Sequence, residues 1–140
     1  MTTETLYKEL LLDHFHHPRN KGDLADAEVT RRGSNPRCGD EIEVGINVDA
    51  GRLSRVRFRG RGCSVCIASA SMMTEAATGR DTAEARALAE TMQDWFATGA
   101  GELSEPPPGL DALSAVRAYP ARRRCVVLPW EALADAIDAL

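Results

Sequence analysis

Two stretches of alternating side chains constrain the fold of this chain more than any other feature of its sequence. Apolar residues recur at every second position over residues 42–48 and again over residues 56–58. Period-two alternation is typical of a β-strand with one buried face. The turn Asp49-Ala50-Gly51 lies between the two runs, so they are predicted to form an antiparallel hairpin. The apolar members are Ile42, Val44, Ile46, Val48, Val56 and Phe58.

The arginines that alternate with the second run are expected to face water, with a partner-docking stripe as the alternative; they are Arg55, Arg57 and Arg59. A further short strand is predicted over residues 28–31, followed by a loop over Gly33-Ser34-Asn35-Pro36. The remaining chain is predicted to be mostly helical, because apolar residues there recur with helical spacing or follow helix-start signals. Helices are predicted over residues 5–17, 63–78 and 110–118. The capping box Asp81-Thr82-Ala83-Glu84 is predicted to open a further helix, whose apolar face holds Ala85, Leu88, Met92 and Phe96. Residues 122–128 are predicted to be helical, and a last helix is predicted to open at Pro129. Its apolar face is predicted to hold Trp130, Leu133, Ile137 and Leu140.

This order of elements predicts an α+β fold, in which helices pack on one face of a small antiparallel sheet of about three strands. The chain has 140 residues, the size of one domain, and we expect residues 1–140 to form a single domain. Residues 98–109 contain two glycines and a run of three prolines, which predicts a surface loop.

Charge and hydropathy exclude several classes of protein. The net charge of -4 is unlike that of a nucleic-acid-binding domain, so no nucleic acid is expected as a partner. No stretch approaches the ~20 apolar residues of a membrane span, and the N-terminus has no secretory signal pattern. We therefore expect a cytoplasmic protein without a membrane partner. Thiols stay reduced there, and clustered cysteines then favour metal or sulfur chemistry over disulfides.

Three cysteines stand where the ionised thiolate is favoured. Cys38 is followed by Gly39 and Asp40, Cys63 begins a predicted helix, and Cys125 follows three consecutive arginines. A helix N-terminus and neighbouring cations both lower a thiol pKa. Three thiolates and the Asp40 carboxylate would make a tetrahedral set for zinc. The oxygen donor is a poorer match for this ion, so such a site could exchange a ligand readily.

Other interpretations of these residues remain open. Any single cysteine is also a common small core residue. The spacing Cys63-x-x-Cys66 is found in half zinc sites and in redox pairs, although the βαβ context of a thioredoxin-like pair is absent. His14, His16 and His17 lie on one predicted helix, apart from the cysteines, and are expected to have surface or packing roles.

Four ordered motifs, spanning about residue 6 to residue 130, resemble the SufU family of iron–sulfur cluster assembly proteins, relatives of the IscU-type scaffold. The first motif combines Leu6-Tyr7, Asp13-His14 and Pro18-Arg19-Asn20-Lys21-Gly22. The second is Asn35-Pro36-x-Cys38-Gly39-Asp40. The third joins Gly60-x-Gly62-Cys63 to residues 68–75. The fourth is Arg122-x-x-Cys125-x-x-Leu128-x-Trp130.

The resemblance implies a Zn²⁺ site made by Cys38, Asp40, Cys63 and Cys125, and a SufS-type, PLP-dependent cysteine desulfurase as partner. In this family, sulfur passes from a persulfide on the desulfurase to the cysteine that matches Cys38. A histidine of the bound desulfurase is thought to replace that cysteine on zinc. The sulfur then moves towards downstream Suf cluster-assembly proteins, and the protein acts as a sulfurtransferase only together with the desulfurase.

The main alternative is an IscU-like scaffold, on which Fe–S clusters are assembled; a structural zinc domain that docks on partners is the third. IscU-type scaffolds have a histidine directly before the third cysteine, where this chain has Arg124. They also lack an insertion that corresponds here to about residues 98–118. Both differences favour the carrier. The position of Cys66 is commonly serine in this family, so Cys66 is either a partly buried bystander or close enough to approach the metal or the persulfide.

Overall fold

An antiparallel sheet of three strands forms one layer of the protein in the computed structural model, which describes residues 2–37, 39–97 and 109–140. The strands are β1 (Val29–Asn35), β2 (Asp40–Asp49) and β3 (Arg52–Arg61), in the order β1-β2-β3. Ala50 and Gly51 connect β2 to β3 with φ angles of 52° and 77°. Two consecutive residues with positive φ are typical of the tight hairpin turn that matches the twist of the strands. The predicted hairpin is confirmed.

Helices form the second layer. They are α1 (Thr3–His16), α2 (Ser64–Ala77), α3 (Thr82–Ala97), a 3-10 helix (Asp111–Ala118) and α4 (Pro120–Asp138). The helix α4 packs against β1 and β2, while α2 packs against β3 and α4. The helix α3 packs on α4, and α1 lies against α2 and the 3-10 helix. The predicted α+β fold, with helices packed on a small antiparallel sheet, is confirmed.

The core lies between these two layers. The inward-facing hairpin residues are almost completely buried, as period-two alternation requires. They are Ile42, Val44, Ile46, Val56 and Phe58. The predicted apolar face of α3 is also buried, and the Asp81 side chain accepts a hydrogen bond of 2.8 Å from the Glu84 N–H at its start. In α4, Trp130, Leu133 and Ile137 are buried as predicted, but Leu140 is 52 % exposed because it lies beyond the end of the helix.

The segment after α1 partly covers the opposite face of the sheet. Arg57 was expected to face water, and this expectation is wrong. This side chain is 7 % exposed, and its Nη2 lies 3.1 Å from Asp26 Oδ1. The chain passes along β3, where the Gly22 N–H donates a 2.9 Å hydrogen bond to the Phe58 carbonyl. It then crosses the sheet and buries Leu24. The alternation of side chains could not predict that Arg57 is covered, because the covering segment is irregular. Arg55 and Arg59 are exposed, as expected.

Two further predictions at strand and helix boundaries are wrong. Residues 33–35 belong to β1 and not to a loop, because β2 extends to Asp40 and offers them a pairing strand. Helix α4 begins at Pro120 and includes residues 122–128, which were predicted to be helical, but it passes through Pro129, which was predicted to open a separate last helix. A proline inside a helix costs about 3 kcal/mol, because it cannot donate to the carbonyl four residues earlier. The neighbouring residues of α4 are buried on both sides of Pro129, so tertiary packing offsets this cost.

The three histidines at the end of α1 have packing and surface roles, as predicted. His14 is buried, and its Nδ1 lies 2.7 Å from the Ser71 hydroxyl on α2. His16 and His17 are exposed. Of the predicted insertion, residues 109–118 contain the 3-10 helix, while residues 98–108 lie outside the described residues. Among the helices that the structure describes, none combines the length and apolar character needed to cross a bilayer.

Candidate metal centre

Three side chains from distant parts of the chain converge at one end of the sheet. Asp40 begins β2, Cys63 is the N-cap residue of α2, and Cys125 lies in the second turn of α4. One carboxylate oxygen and the two sulfurs all lie within 4.8 Å of one another. Asp40 and Cys125 are buried, and Cys63 is partly exposed. This group is therefore open to solvent on the side of Cys63 and enclosed elsewhere.

The Asp40 carboxylate is held by the backbone of α2. Its Oδ1 accepts a 2.9 Å hydrogen bond from the Cys63 N–H, one of the N–H groups that a helix start leaves without an intrahelical partner. Its Oδ2 is buried and accepts no hydrogen bond from any residue that the structure describes. A buried oxygen without a partner costs roughly 1–3 kcal/mol, and more if it is charged. A cation beside this carboxylate would satisfy Oδ2, and the Cys125 thiol faces the same carboxylate.

The turn into α2 brings Cys63 against this carboxylate. Gly60 has a φ of 133°, which side chains rarely allow, and a Cβ atom on it would overlap the Glu41 carbonyl. At Gly62, a Cβ atom would lie 3.0 Å from Asp40 Oδ1 and 3.1 Å from Cys66 Sγ. The two glycines thus permit a close approach between the chain ahead of α2 and the start of β2. Cys63 has extended φ and ψ angles of -66° and 167°, and its side chain makes no capping hydrogen bond.

The expectation that the neighbouring arginines favour the Cys125 thiolate is wrong for the metal-free protein, in which the pKa of this thiol is raised. Burial is the largest cause that raises the pKa of this thiol well above its ordinary value, followed by the neighbouring Asp40 and Cys63. Arg122 lies one helical turn before Cys125 and faces the side chains of Cys63 and Cys125. The pKa of Arg122 is raised, first by the negative charge of Cys63, then by a hydrogen bond to Cys63, and then by the charge of Cys125. A guanidinium here compensates the negative charge that the ionised sulfurs would bring.

We expect the metal-free protein to lose stability as the pH rises above about 9, the ordinary pKa of its cysteine thiols. The folded state holds the Cys125 proton more tightly than the unfolded chain does. The stability that this difference provides is therefore complete below that pH and decreases above it. The loss is at most about 1.4 kcal/mol for each pH unit. Urea unfolding in the presence of a chelator, between about pH 8 and pH 10, measures it. A Cys125→Ala protein that shows the same slope would contradict this origin.

The structure separates the three arginines that were expected to lend positive potential together. Arg122 faces the sulfurs, whereas Arg124 forms a 2.9 Å ion pair with Glu131, and Arg123 lines a cleft between α3 and α4. The spacing Arg122-x-x-Cys125 could have predicted that Arg122 is the arginine on the same helix face as Cys125, because residues three apart share one face of a helix. The bond from the Cys63 N–H to Asp40 had no signal in the sequence, since it joins residues far apart in the chain.

Two of the predicted site cysteines remain to be placed. Cys38 lies outside the described residues, so its part in the centre stays a prediction. Cys66 is fully buried beside Gly62, but it does not belong to the group whose ligand atoms lie within 4.8 Å of one another. The structure thus makes Cys66 a neighbour of the centre, more deeply buried than the expected bystander.

The described donors suit a borderline metal. Cysteine sulfurs and a carboxylate oxygen are zinc ligands, and a fourth donor would complete a tetrahedral site. One Asp40 oxygen lies within 4.8 Å of both sulfurs, so a cation among these three atoms would be within reach of the carboxylate. The group also offers a partly exposed sulfur, so it can take part in chemistry with a partner.

Comparison with known proteins gives consistent matches over almost the whole chain. The family described as NifU-like N terminal domain matches residues 6–139. The chain is 38% identical over 130 residues to the zinc-dependent sulfurtransferase SufU of Bacillus subtilis, covering 93% of this chain and 88% of that protein. It is 34% identical to the iron–sulfur cluster assembly scaffold protein IscU of Thermotoga maritima, covering 100% and 98%.

The fold is also that of solved structures. A crystal structure from Fervidobacterium islandicum, named as an iron–sulfur cluster assembly scaffold protein for the SUF system, superposes with a TM-score of 0.84. The two chains are 27% identical, and the match covers 97% of this chain and 99% of the other. The three-stranded sheet and its helical layer are therefore a shared architecture.

Proposed function

We propose that this chain, which belongs to the NifU-like N-terminal domain family, is a zinc-dependent sulfur carrier that accepts persulfide sulfur from a cysteine desulfurase. It is an iron–sulfur cluster assembly protein, of the sulfur-transfer or the scaffold type. The observation that carries the proposal is the convergence of Asp40, Cys63 and Cys125, together with the orphaned Asp40 Oδ2.

Zinc would be held by the Asp40 carboxylate and by the sulfurs of Cys63, Cys125 and Cys38. When bound, zinc keeps its thiolates deprotonated at neutral pH and, having no redox chemistry, does not change their oxidation state. The Cys63 N–H orients the Asp40 carboxylate, and burial keeps water from Cys125. Four anionic donors around a divalent cation leave a net charge of about -2, which Arg122 partly offsets.

Cys38 is proposed to perform the transfer itself. Its thiolate attacks the outer sulfur of the desulfurase persulfide, a new S–S bond forms on Cys38, and the desulfurase cysteine leaves as a thiolate. Electrons and atoms balance without an added oxidant or reductant, because one S–S bond replaces another. Cys38 stands two residues before Asp40 in the sequence, and its neighbours Arg37 and Gly39 are exposed. Of the described donors, Cys125 is buried and the Cys63 backbone is hydrogen-bonded to Asp40, so the two serve better as anchors.

The residue before Cys125 supports the carrier over the scaffold. Arg124 stands where IscU-type scaffolds have a histidine, and a guanidinium has no lone pair with which to bind a metal. Its side chain is exposed and paired with Glu131 at 2.9 Å, away from the sulfurs. A cluster held by this chain would thus lack that nitrogen ligand. The Bacillus relative is named zinc-dependent, and the carrier proposal extends this property to the present chain.

The scaffold is the second candidate, because relatives that are 33% and 34% identical are named as scaffold proteins. Sulfur-rich donors also hold Fe–S clusters. The two functions demand different contents of the same site. A scaffold must carry iron and sulfide, whereas the carrier needs only one divalent ion.

Element analysis of protein purified without air tests the proposal. We expect about one zinc per chain, no acid-labile sulfide, and faster alanine release by a SufS-type desulfurase when the protein is added. Iron with an equal amount of sulfide, together with an unchanged desulfurase rate, would instead establish the scaffold. An Asp40→Ala protein provides the matched control, since we expect it to lose zinc and the stimulation together.

A further inference from the structure

We infer that Ser69 and Trp130 position Cys125 for metal binding, through a buried link between α2 and α4. The Ser69 hydroxyl donates a 2.7 Å hydrogen bond to the Val126 carbonyl and accepts a 3.1 Å hydrogen bond from Trp130 Nε1. Ser69 lies on α2, and the two residues that it contacts lie on α4. These three residues are called the serine link below. Their positioning role rests on the proposed metal centre and not on the transfer of sulfur.

The serine link joins the two helices that carry the described sulfurs. Cys63 is the N-cap residue of α2, and Cys125 directly precedes Val126 on α4. The two sulfurs lie within 4.8 Å of each other, which requires that α2 and α4 keep their present separation. A hydrogen bond between these helices, one residue away from a sulfur donor, therefore helps to fix the distance between the two sulfurs.

The turn of α4 that holds Cys125 needs such a restraint, because Pro129 weakens the turn. A proline cannot donate to the carbonyl four residues earlier, and its ring crowds that carbonyl. In α4 the carbonyl concerned belongs to Cys125 itself. The helix thus lacks one internal restraint at the residue that would bind the metal. Ser69 supplies a restraint from outside the helix at the next carbonyl, that of Val126.

Burial makes the link selective for one arrangement of the two helices. Ser69, Val126 and Trp130 are all inaccessible to solvent. If α4 moved away from α2, the indole N–H and the Ser69 hydroxyl would lose their partners in a part of the core that water does not reach. The link therefore favours a single position of Cys125. Residues that orient metal ligands in this way typically change metal affinity by about 10- to 100-fold when they are replaced.

Ser71 provides a matched control on the same helix. It is as deeply buried as Ser69, but its hydroxyl lies 2.7 Å from His14 Nδ1 on α1 and accepts a 2.8 Å hydrogen bond from the Arg19 N–H. Ser71→Ala therefore removes the same atom from α2 and also breaks two hydrogen bonds, neither of which reaches α4. The two serine variants differ in the side of α2 on which the bonds are lost.

Zinc affinity, measured on the full chain by competition with a chelator, tests the positioning role. We expect Ser69→Ala to bind zinc about 10- to 100-fold more weakly than the wild type, and Ser71→Ala to bind it about as tightly. Urea unfolding of the metal-free proteins should show comparable losses of stability in the two variants, so that a general loosening of the fold cannot explain the difference. Equal zinc affinities in the two serine variants would overturn the positioning role.

Trp130→Phe is the second variant, since it removes the indole N–H but keeps an aromatic ring in the core. We expect weaker zinc binding, and we expect the double variant with Ser69→Ala to lose less affinity than the two single losses combined, because both changes break one link. Additive losses would contradict the link. If Ser69→Ala fails to fold, wild-type zinc affinity in Trp130→Phe overturns the role by itself. A wild type that binds zinc without stimulating the desulfurase would refute the proposed sulfur transfer alone.

Discussion

A Cys38→Ala protein is expected to leave a SufS-type cysteine desulfurase at the rate that the desulfurase shows alone. The alanine side chain has no nucleophile, so the enzyme persulfide finds no acceptor on the variant and the desulfurase is not stimulated. Alanine release from cysteine measures the rate. A trapped persulfide on the carrier, detected by alkylation and mass spectrometry, should be absent from peptide 38–52 of the variant.

Cys66→Ser is the matched control for this loss, because it also removes one thiol near the centre but leaves the proposed acceptor and the donors intact. Under reducing conditions its stimulation should equal that of the wild type. Full stimulation by Cys38→Ala would refute the acceptor role of Cys38. Zinc analysis of the variant separates the two parts of that role, since a protein that retains zinc but not stimulation has lost only the nucleophile.

Gly60→Ala is expected to produce the largest loss of stability among conservative changes near the site. A Cβ atom on Gly60 would overlap the Glu41 carbonyl, and the φ of 133° is strained for any side chain. Relief requires β3 to shift against β2, where Gly60 pairs with Ile42. We expect a decrease of roughly 3 kcal/mol in the free energy of unfolding, measured by urea denaturation. The turn that carries Cys63 should move with the strand, so zinc affinity should decrease as well.

Gly22→Ala is the corresponding control in the same sheet region. Nothing lies within 4 Å of a Cβ atom on Gly22, and its N–H bond of 2.9 Å to the Phe58 carbonyl would be retained. Its free energy of unfolding should change by less than about 0.5 kcal/mol. If Gly60→Ala were as stable as Gly22→Ala, the close approach of β3 to Glu41 would not determine the position of Cys63.

The sequence predicted those parts of the fold in which neighbours along the chain decide the structure. The alternation through Ile42 and Phe58 and the Ala50-Gly51 turn predicted the hairpin. The run of small and apolar residues after Cys63 predicted α2. Predictions failed where a distant segment outweighed a local signal. Pro129 is tolerated inside α4 because buried neighbours offset its cost, and Arg57 is buried because residues after α1 cover it.

The candidate site shows the same division. The residue types and motifs predicted Asp40, Cys63 and Cys125 as candidate donors, but their meeting within 4.8 Å depends on three elements packing together. Arg122 could be distinguished from Arg124 only after α4 had a fixed orientation. The bond from the Cys63 N–H to Asp40 joins residues that no periodicity relates.

By itself, the chain's order of residues determined which groups could do chemistry here and which local segments would be strand or helix, because both depend on side-chain type and on neighbours a few positions away. Tertiary packing alone decided that the Asp40 carboxylate would be buried, that one arginine of three would face the sulfurs, and that Cys66 would be fully buried beside Gly62. Those outcomes depend on burial and on contacts between remote segments, and neither quantity exists until the helices have closed over the sheet.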